Sequence, residues 1–171
     1  MKAFALMALF LATAGNVVSS ADEEPAAEVL IFVSTDCPIA NSYVPEINRL
    51  HEAFSDHGIS FRLIYPDQAT SDADIAEHLR EYGLDLTGDR DPDHRLVKRV
   101  GVSTTPEAAV FSQSGELIYR GRINNLYSDY GKRRNAVTEN DLRDVLEALI
   151  KGTKFEFRET EAVGCLIETL P

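Results

Sequence analysis

The chain opens on an apolar run, Ala3 to Ala14, in which Lys2 is the only charge before Asp22. That run is too short to cross a bilayer with ordinary flanks, and Ser19-Ser20-Ala21 sets small side chains where a signal peptidase cuts. The acidic, proline-containing stretch Asp22-Glu23-Glu24-Pro25 follows directly. The pattern reads as a signal peptide over 1–21 and a linker over 22–27, and predicts an exported mature chain, periplasmic or secreted. Glu28 to Val33 is then a continuous apolar, β-branched run, the mark of a buried central strand. Tyr43, Ile47, Leu50 and Phe54 recur at helical spacing, with Asn48, Arg49, Glu52 and Asp56 opposite and Gly58 as the stop. Ile59 to Tyr65 predicts a second strand. Ser71-Asp72-Ala73-Asp74 has the form of a helix start, with Gly83 ending that helix.

Asp91-Pro92 reads as an N-cap followed by proline at the first helical position, opening a short helix to about Arg99. Glu107 to Phe111 and Leu117 to Ile123, joined by Gln113-Ser114-Gly115-Glu116, predict a β-hairpin. Thr138-Glu139-Asn140-Asp141 repeats the capping pattern, Leu142, Val145, Leu146 and Leu149 form an apolar stripe, and Gly152 closes the helix. The order β-α-β-α-α-β-β-α predicts one α/β domain over 28–152, followed by a tail over 153–171. Its central sheet is mixed and flanked by helices: the early βαβ unit gives a parallel pair and the hairpin adds antiparallel strands.

Composition narrows the function. At 171 residues and 44% hydrophobic the chain can bury a sizeable core, and two cysteines are too few for a disulfide-framed mini-protein. Acidic residues outnumber basic ones 28 to 17, a net charge of −11, which argues against nucleic-acid and anionic-lipid partners. Lys132-Arg133-Arg134 reads as a solvated loop, and Tyr119, Tyr127 and Tyr130 as packing residues. No phosphate-cradling loop or Gly-x-Ser-x-Gly elbow is present, and no cofactor is expected.

In an oxidising compartment the two cysteines carry the chemistry. Cys37 lies a few residues beyond the first strand, and Pro38 follows it. With Cys37 as N-cap and Pro38 as first helical residue, the sulfur lies over free backbone N–H groups, which favour the nucleophilic thiolate. The neighbouring Asp36 carboxylate works the other way. Position alone leaves a reactive thiol and a buried structural cysteine equally open. Pro45, eight residues on, should kink the helix, and Pro106 directly precedes an apolar strand, where proline marks an edge, a bulge or a cis turn.

A strand, a Cys-Pro helix start, a kinking proline, and Gly101-Val102 leading to Thr105-Pro106 before a hairpin together resemble the thioredoxin-like superfamily. The resemblance spans roughly Glu28 to Lys151. The long stretch between Cys37 and Pro106 is similar to that of the redoxin group, with its exported thiol–disulfide oxidoreductases and peroxiredoxins. It implies that Pro106 is cis and faces Cys37, and that the carbonyl and amide of Thr105 pair with a substrate chain. Three positions depart from the pattern. Cys37-Pro38-Ile39-Ala40 has alanine where the dithiol motif has its second cysteine, Asp36 replaces a tryptophan, and Ile31 replaces a buried acid.

Cys165 lies in Ala162-Val163-Gly164-Cys165-Leu166-Ile167, an apolar patch in a polar tail, where Gly164 lets the backbone approach closely. If the patch docks near the end of the first strand, Cys165 can bond to Cys37, as a redox pair or as a permanent staple; two separate thiols are the third possibility. The resemblance implies a thiol–disulfide oxidoreductase with Cys37 as nucleophile, Cys165 as possible resolving thiol, and protein or small-molecule thiols and disulfides as partners. A peroxiredoxin-like peroxidase and a redox-inactive binding module stapled by Cys37–Cys165 are the alternatives. For the peroxidase, Ser34 holds the expected hydroxyl position, Leu30 stands where a proline belongs, and Arg120 and Arg122 are the available cations, although they read as an exposed hairpin face. A metal site is not expected: one cysteine at the motif is a poor chelate, and His51, His57, His78 and His94 read as scattered surface residues.

Overall fold

The computed structural model describes residues 26–153 and 156–170, so the expected signal peptide lies outside the described residues. Strand β1 (Ala27–Phe32) leads into helices α1 (Pro38–Ser42) and α2 (Val44–Phe54), a 3-10 turn at Ser55–His57, strand β2 (Ile59–Tyr65) and helix α3 (Asp72–Tyr82). Strand β3 (Thr87–Arg90), helix α4 (Arg95–Val100) and strand β4 (Thr104–Thr105) precede the hairpin of β5 (Glu107–Ser112) and β6 (Leu117–Gly121). A small ribbon of β7 (Tyr127–Asp129) and β8 (Lys132–Arg133), helix α5 (Asp141–Ile150), and tail strands β9 (Arg158–Glu159) and β10 (Cys165–Leu166) complete the order.

The main sheet runs β3-β2-β1-β5-β6-β9, with β1, β2 and β3 parallel and β5 and β6 antiparallel. Strand β1 lies between β2 and β5, and its unbroken apolar run feeds both faces of the sheet. Val29 and Ile31 pack with Ile47, Leu50 and Phe54 of α2 and with Leu142, Val145 and Leu146 of α5. Leu30 and Phe32 pack on the other face with Val100, Val102, Ala109 and Phe111, under Leu96 and Val97 of α4. The expected mixed α/β sheet is present, its parallel pair extended by a third strand.

That third strand, β3, has no apolar pattern: Thr87-Gly88-Asp89-Arg90 is an edge strand that buries little, so periodicity gave no sign of it. Other expectations need correction. Pro92 does not open α4, which begins at Arg95; the Asp91 carboxylate reaches forward to accept the N–H groups of Arg95, Leu96 and Val97 at 2.8–3.0 Å. Thr138 does not cap α5 either. Asn140 is the N-cap, and the Thr138 hydroxyl accepts from Asn125 Nδ2 instead. Lys132 and Arg133 lie in a strand rather than a loop, and Tyr130 at the ribbon's tip is 67% exposed rather than packed. His78 and His94, read as surface residues, are buried.

The tail returns to the domain. Strand β9 pairs in parallel with β6, and the Thr160 N–H donates to the Arg120 carbonyl at 3.1 Å. The Tyr119 hydroxyl donates to the Arg122 carbonyl at 2.6 Å, so its 2.7 Å contact with Thr160 takes the threonine as donor. Gly121, at φ 144°, makes room for this, since a Cβ there would sit 2.2 Å from the Thr160 carbonyl oxygen. Arg158 reaches Asp141 at 3.0 Å, and Arg122 binds the same buried carboxylate at 2.7 Å, tying β9 to the start of α5.

Candidate active site

The site lies beyond the C-terminal end of β1. Cys37 is the N-cap of α1 with Pro38 beginning the helix, as expected, and its sulfur accepts the Ala40 N–H at 3.4 Å. Pro45 at the start of α2 accompanies the break between the two helices at Tyr43, so the expected kink is a full interruption. The loop before Cys37 is fixed from behind. Asn41 Nδ2 donates to the Thr35 carbonyl at 2.9 Å, and Asn41 Oδ1 accepts from His78 Nε2 at 3.0 Å. With that proton on Nε2, His78 Nδ1 accepts from the Tyr65 hydroxyl at 2.8 Å. Burial lowers the His78 pKa, with the Glu81 carboxylate opposing it, and burial raises that of Tyr65. On the other side of the kink, Tyr43 donates to the Asn124 carbonyl at 3.2 Å, and burial pushes its hydroxyl up to about 12.

The Thr105–Pro106 peptide bond is cis, and the Thr105 carbonyl oxygen lies 3.2 Å from Cys37 Sγ, the facing arrangement that the family resemblance implied. The turn is braced by the buried Glu107 carboxylate, which accepts the N–H groups of Ser103 and Thr104 at 3.0 and 3.3 Å. Cys165 and Cys37 form a disulfide with their Cα atoms 6.1 Å apart, inside the ordinary range of about 4.4–6.8 Å. Cys37 is 2% exposed, while Cys165 is half-buried.

The tail does more than supply a sulfur. Strand β10 pairs antiparallel with β4, Cys165 opposite Thr105 and Leu166 opposite Thr104, and the Ile167 N–H donates to the Ser103 carbonyl at 2.9 Å. Gly164 allows this approach, because a Cβ there would lie 2.1 Å from the Thr105 carbonyl oxygen. The backbone of Thr105, implied to pair with a substrate chain, is thus paired with the chain's own tail.

A cleft of about 650 Å³ opens beside the disulfide, lined among others by Cys37, Thr105, Cys165, His94, Tyr130 and Leu166. His94 adopts φ 54°, uncommon for a residue with a side chain, and its Nε2 donates to the Pro66 carbonyl at 3.0 Å. Sequence reasoning missed His94, Tyr130 and the pairing of Leu166; only the apolar patch around Cys165 hinted at the last. Among the described residues, no lysine or arginine lines the cleft. Arg120 donates to the carbonyls of Val100 and Gly101 and pairs with Glu159, and Arg122 pairs with Asp141 and Glu139, so both arginines, read as an exposed hairpin face, are half-buried in structural ion pairs, and neither lines the cleft. No cluster of three or more potential metal ligands occurs among the described residues.

The mixed sheet, the cysteine at a helix start and the facing cis-proline turn define a thioredoxin-like protein. The family model described as AhpC/TSA matches residues 1–120, and the chain belongs to that family. Among solved structures it is similar to an uncharacterized conserved protein of Geobacillus kaustophilus, at 25% identity and a TM-score of 0.73 over 85% of this chain and 78% of the other. A hypothetical protein of Sinorhizobium meliloti shares 21% identity with a TM-score of 0.72, over 84% and 80% of the two chains. The thioredoxin domain of a thiol-disulfide oxidoreductase from Bacteroides vulgatus shares the fold, at 12% identity and a TM-score of 0.54 over 74% and 81%. No curated protein matches the chain in sequence.

Proposed function

We propose that the protein is an exported thiol–disulfide oxidoreductase in which Cys37 is the nucleophile and Cys165 the resolving thiol. The observation that carries this reading is the disulfide between a helix-capping cysteine and a tail cysteine, set against the Thr105-Pro106 turn. In the reduced protein the Cys37 thiolate accepts the Ala40 N–H, a charge-assisted hydrogen bond that favours the anion. It attacks one sulfur of a substrate disulfide; the Cys37–substrate bond forms and the other substrate sulfur leaves as a thiolate. The Cys165 thiolate then attacks Cys37 Sγ, closing Cys37–Cys165 and releasing the second substrate thiolate. The substrate gains two electrons, the protein loses two, and an external dithiol restores it.

The apolar leader and the use of a disulfide support export. No helix among the described residues is long and apolar enough to cross a membrane. A peroxidase would want a cation beside the sulfur, and the candidates Arg120 and Arg122 are engaged elsewhere. The test is trapping. Reduced protein mixed with a peptide disulfide should form Cys37–Cys165, Cys165→Ser should accumulate a mixed disulfide on Cys37, and Cys37→Ser should do neither. Absence of any mixed disulfide from Cys165→Ser would remove the proposal.

A further inference from the structure

The strand edge at Ser103–Thr105 is filled by residues of the same chain, and the fit is specific. Position 164 passes so close to the Thr105 carbonyl that a Cβ would overlap it. Position 165 delivers its sulfur to Cys37. Position 166 follows along β4 with its side chain 82% exposed at the cleft, and position 167 packs Ile167 beside the cluster of Leu30 and Phe32. Apart from the disulfide, this hold is slight: among the described residues it is two paired residues, the Ile167 hydrogen bond and the packing of Ile167. The stronger anchor lies upstream, at Thr160 and Arg158, and residues 161–164 connect the two.

We propose that the tail is a built-in occupant of a peptide-binding edge, that reduction of Cys37–Cys165 vacates the edge, and that the partner admitted is an extended polypeptide segment of the pattern glycine, cysteine, any residue, apolar. This rests on the oxidoreductase reading for its purpose and names the substrate class. The electrons come from a dithiol. Its first thiolate opens the chain's disulfide, its second displaces the chain from the mixed disulfide, and it leaves as a disulfide while Cys37 and Cys165 become thiols. The edge then offers the backbone groups of residues 103–105 to an incoming strand, and strand addition gives affinity through the main chain and selection through side-chain positions. Glycine before the cysteine is the selective position, because the clash there is with backbone that cannot rotate away.

The test uses the full mature chain in three states: oxidised, reduced with dithiothreitol, and Cys165→Ser. The probes are two synthetic peptides of residues 162–169, both carrying Cys165→Ser so that no covalent bond forms, one of them also carrying Gly164→Ala. The reduced chain and Cys165→Ser should bind the glycine peptide, at least roughly tenfold tighter than the alanine peptide, and the oxidised chain should bind neither. Equal binding of the two peptides, equal binding to oxidised and reduced protein, or no binding at all would overturn the proposal. The reduced wild type guards against a folding defect in Cys165→Ser. Failure of the trapping experiment with selective peptide binding intact would instead remove the oxidoreductase reading and leave the gated edge standing.

Discussion

Asp141 shows how much one buried side chain does here. Its carboxylate receives Arg122 and Arg158, so it joins the strand leaving the hairpin, the first turn of α5 and the tail strand β9. Asp141→Ala leaves both guanidiniums without that partner and should cost about 2–3 kcal/mol in urea denaturation, less than a fully buried pair because the arginines are partly exposed. His78 gives a pH dependence. Burial depresses its folded-state pKa, so the unfolded chain takes up its proton first and stability falls as pH drops below the ordinary value of 6.5. Protonated Nδ1 no longer accepts from Tyr65, and through Asn41 the disturbance reaches the Thr35 carbonyl two residues before Cys37. Urea midpoints measured between pH 7.5 and about 5 should decline less steeply in His78→Gln than in the wild type. Parallel profiles for the two would contradict this role for His78. Some of this detail was legible in the sequence: Cys37 as N-cap, Pro38 at the helix start and Gly164 as the point of close approach all follow from local rules. Asp141, His78 and His94 were not, because their roles depend on partners 13–37 residues away that no local pattern specifies.

At the scale of elements, apolar runs and periodicity located β1, β2, α2, α5 and the β5–β6 hairpin, which bury continuous faces, while α3 was located by its capping pattern and the Gly83 stop. These patterns gave no sign of β3, β4, β7, β8, β9 or β10. These strands are two to four residues long and mostly polar, and they exist because a neighbouring strand offers an edge, not because they bury apolar surface. The pair β4 and β10 matters most, since it aligns the two sulfurs. Gly164→Ala tests that alignment: the added Cβ forces the tail away from Thr105 and should destabilise the docked tail by about 1–3 kcal/mol. The expected readout is faster hydrogen exchange at the Ile167 amide, with the Thr160 amide, held at the separate anchor, unchanged. Unchanged exchange at Ile167 would show that the close approach is not tight.

The whole molecule is a thioredoxin-like sheet in which Cys37, with alanine at the second cysteine position of the local motif, is bonded to Cys165 of the tail, 128 residues away. The separation explains why the sequence left a redox pair, a staple and two free thiols open: pairing across such a distance depends on where the tail docks, which strands β9 and β10 decide. A bond closing so long a loop would stabilise the fold in either role, so stability cannot tell a redox pair from a staple. Reactivity under native conditions can. The decisive measurement is the mass of the purified, oxidised full chain after exposure to a protein dithiol reductant without denaturant, followed by alkylation. Two added alkyl groups, lost again when the reduced protein is first given a disulfide substrate, are the expected result. A disulfide that stays closed until the fold is unfolded would contradict a working redox pair and leave Cys37–Cys165 as a structural bond.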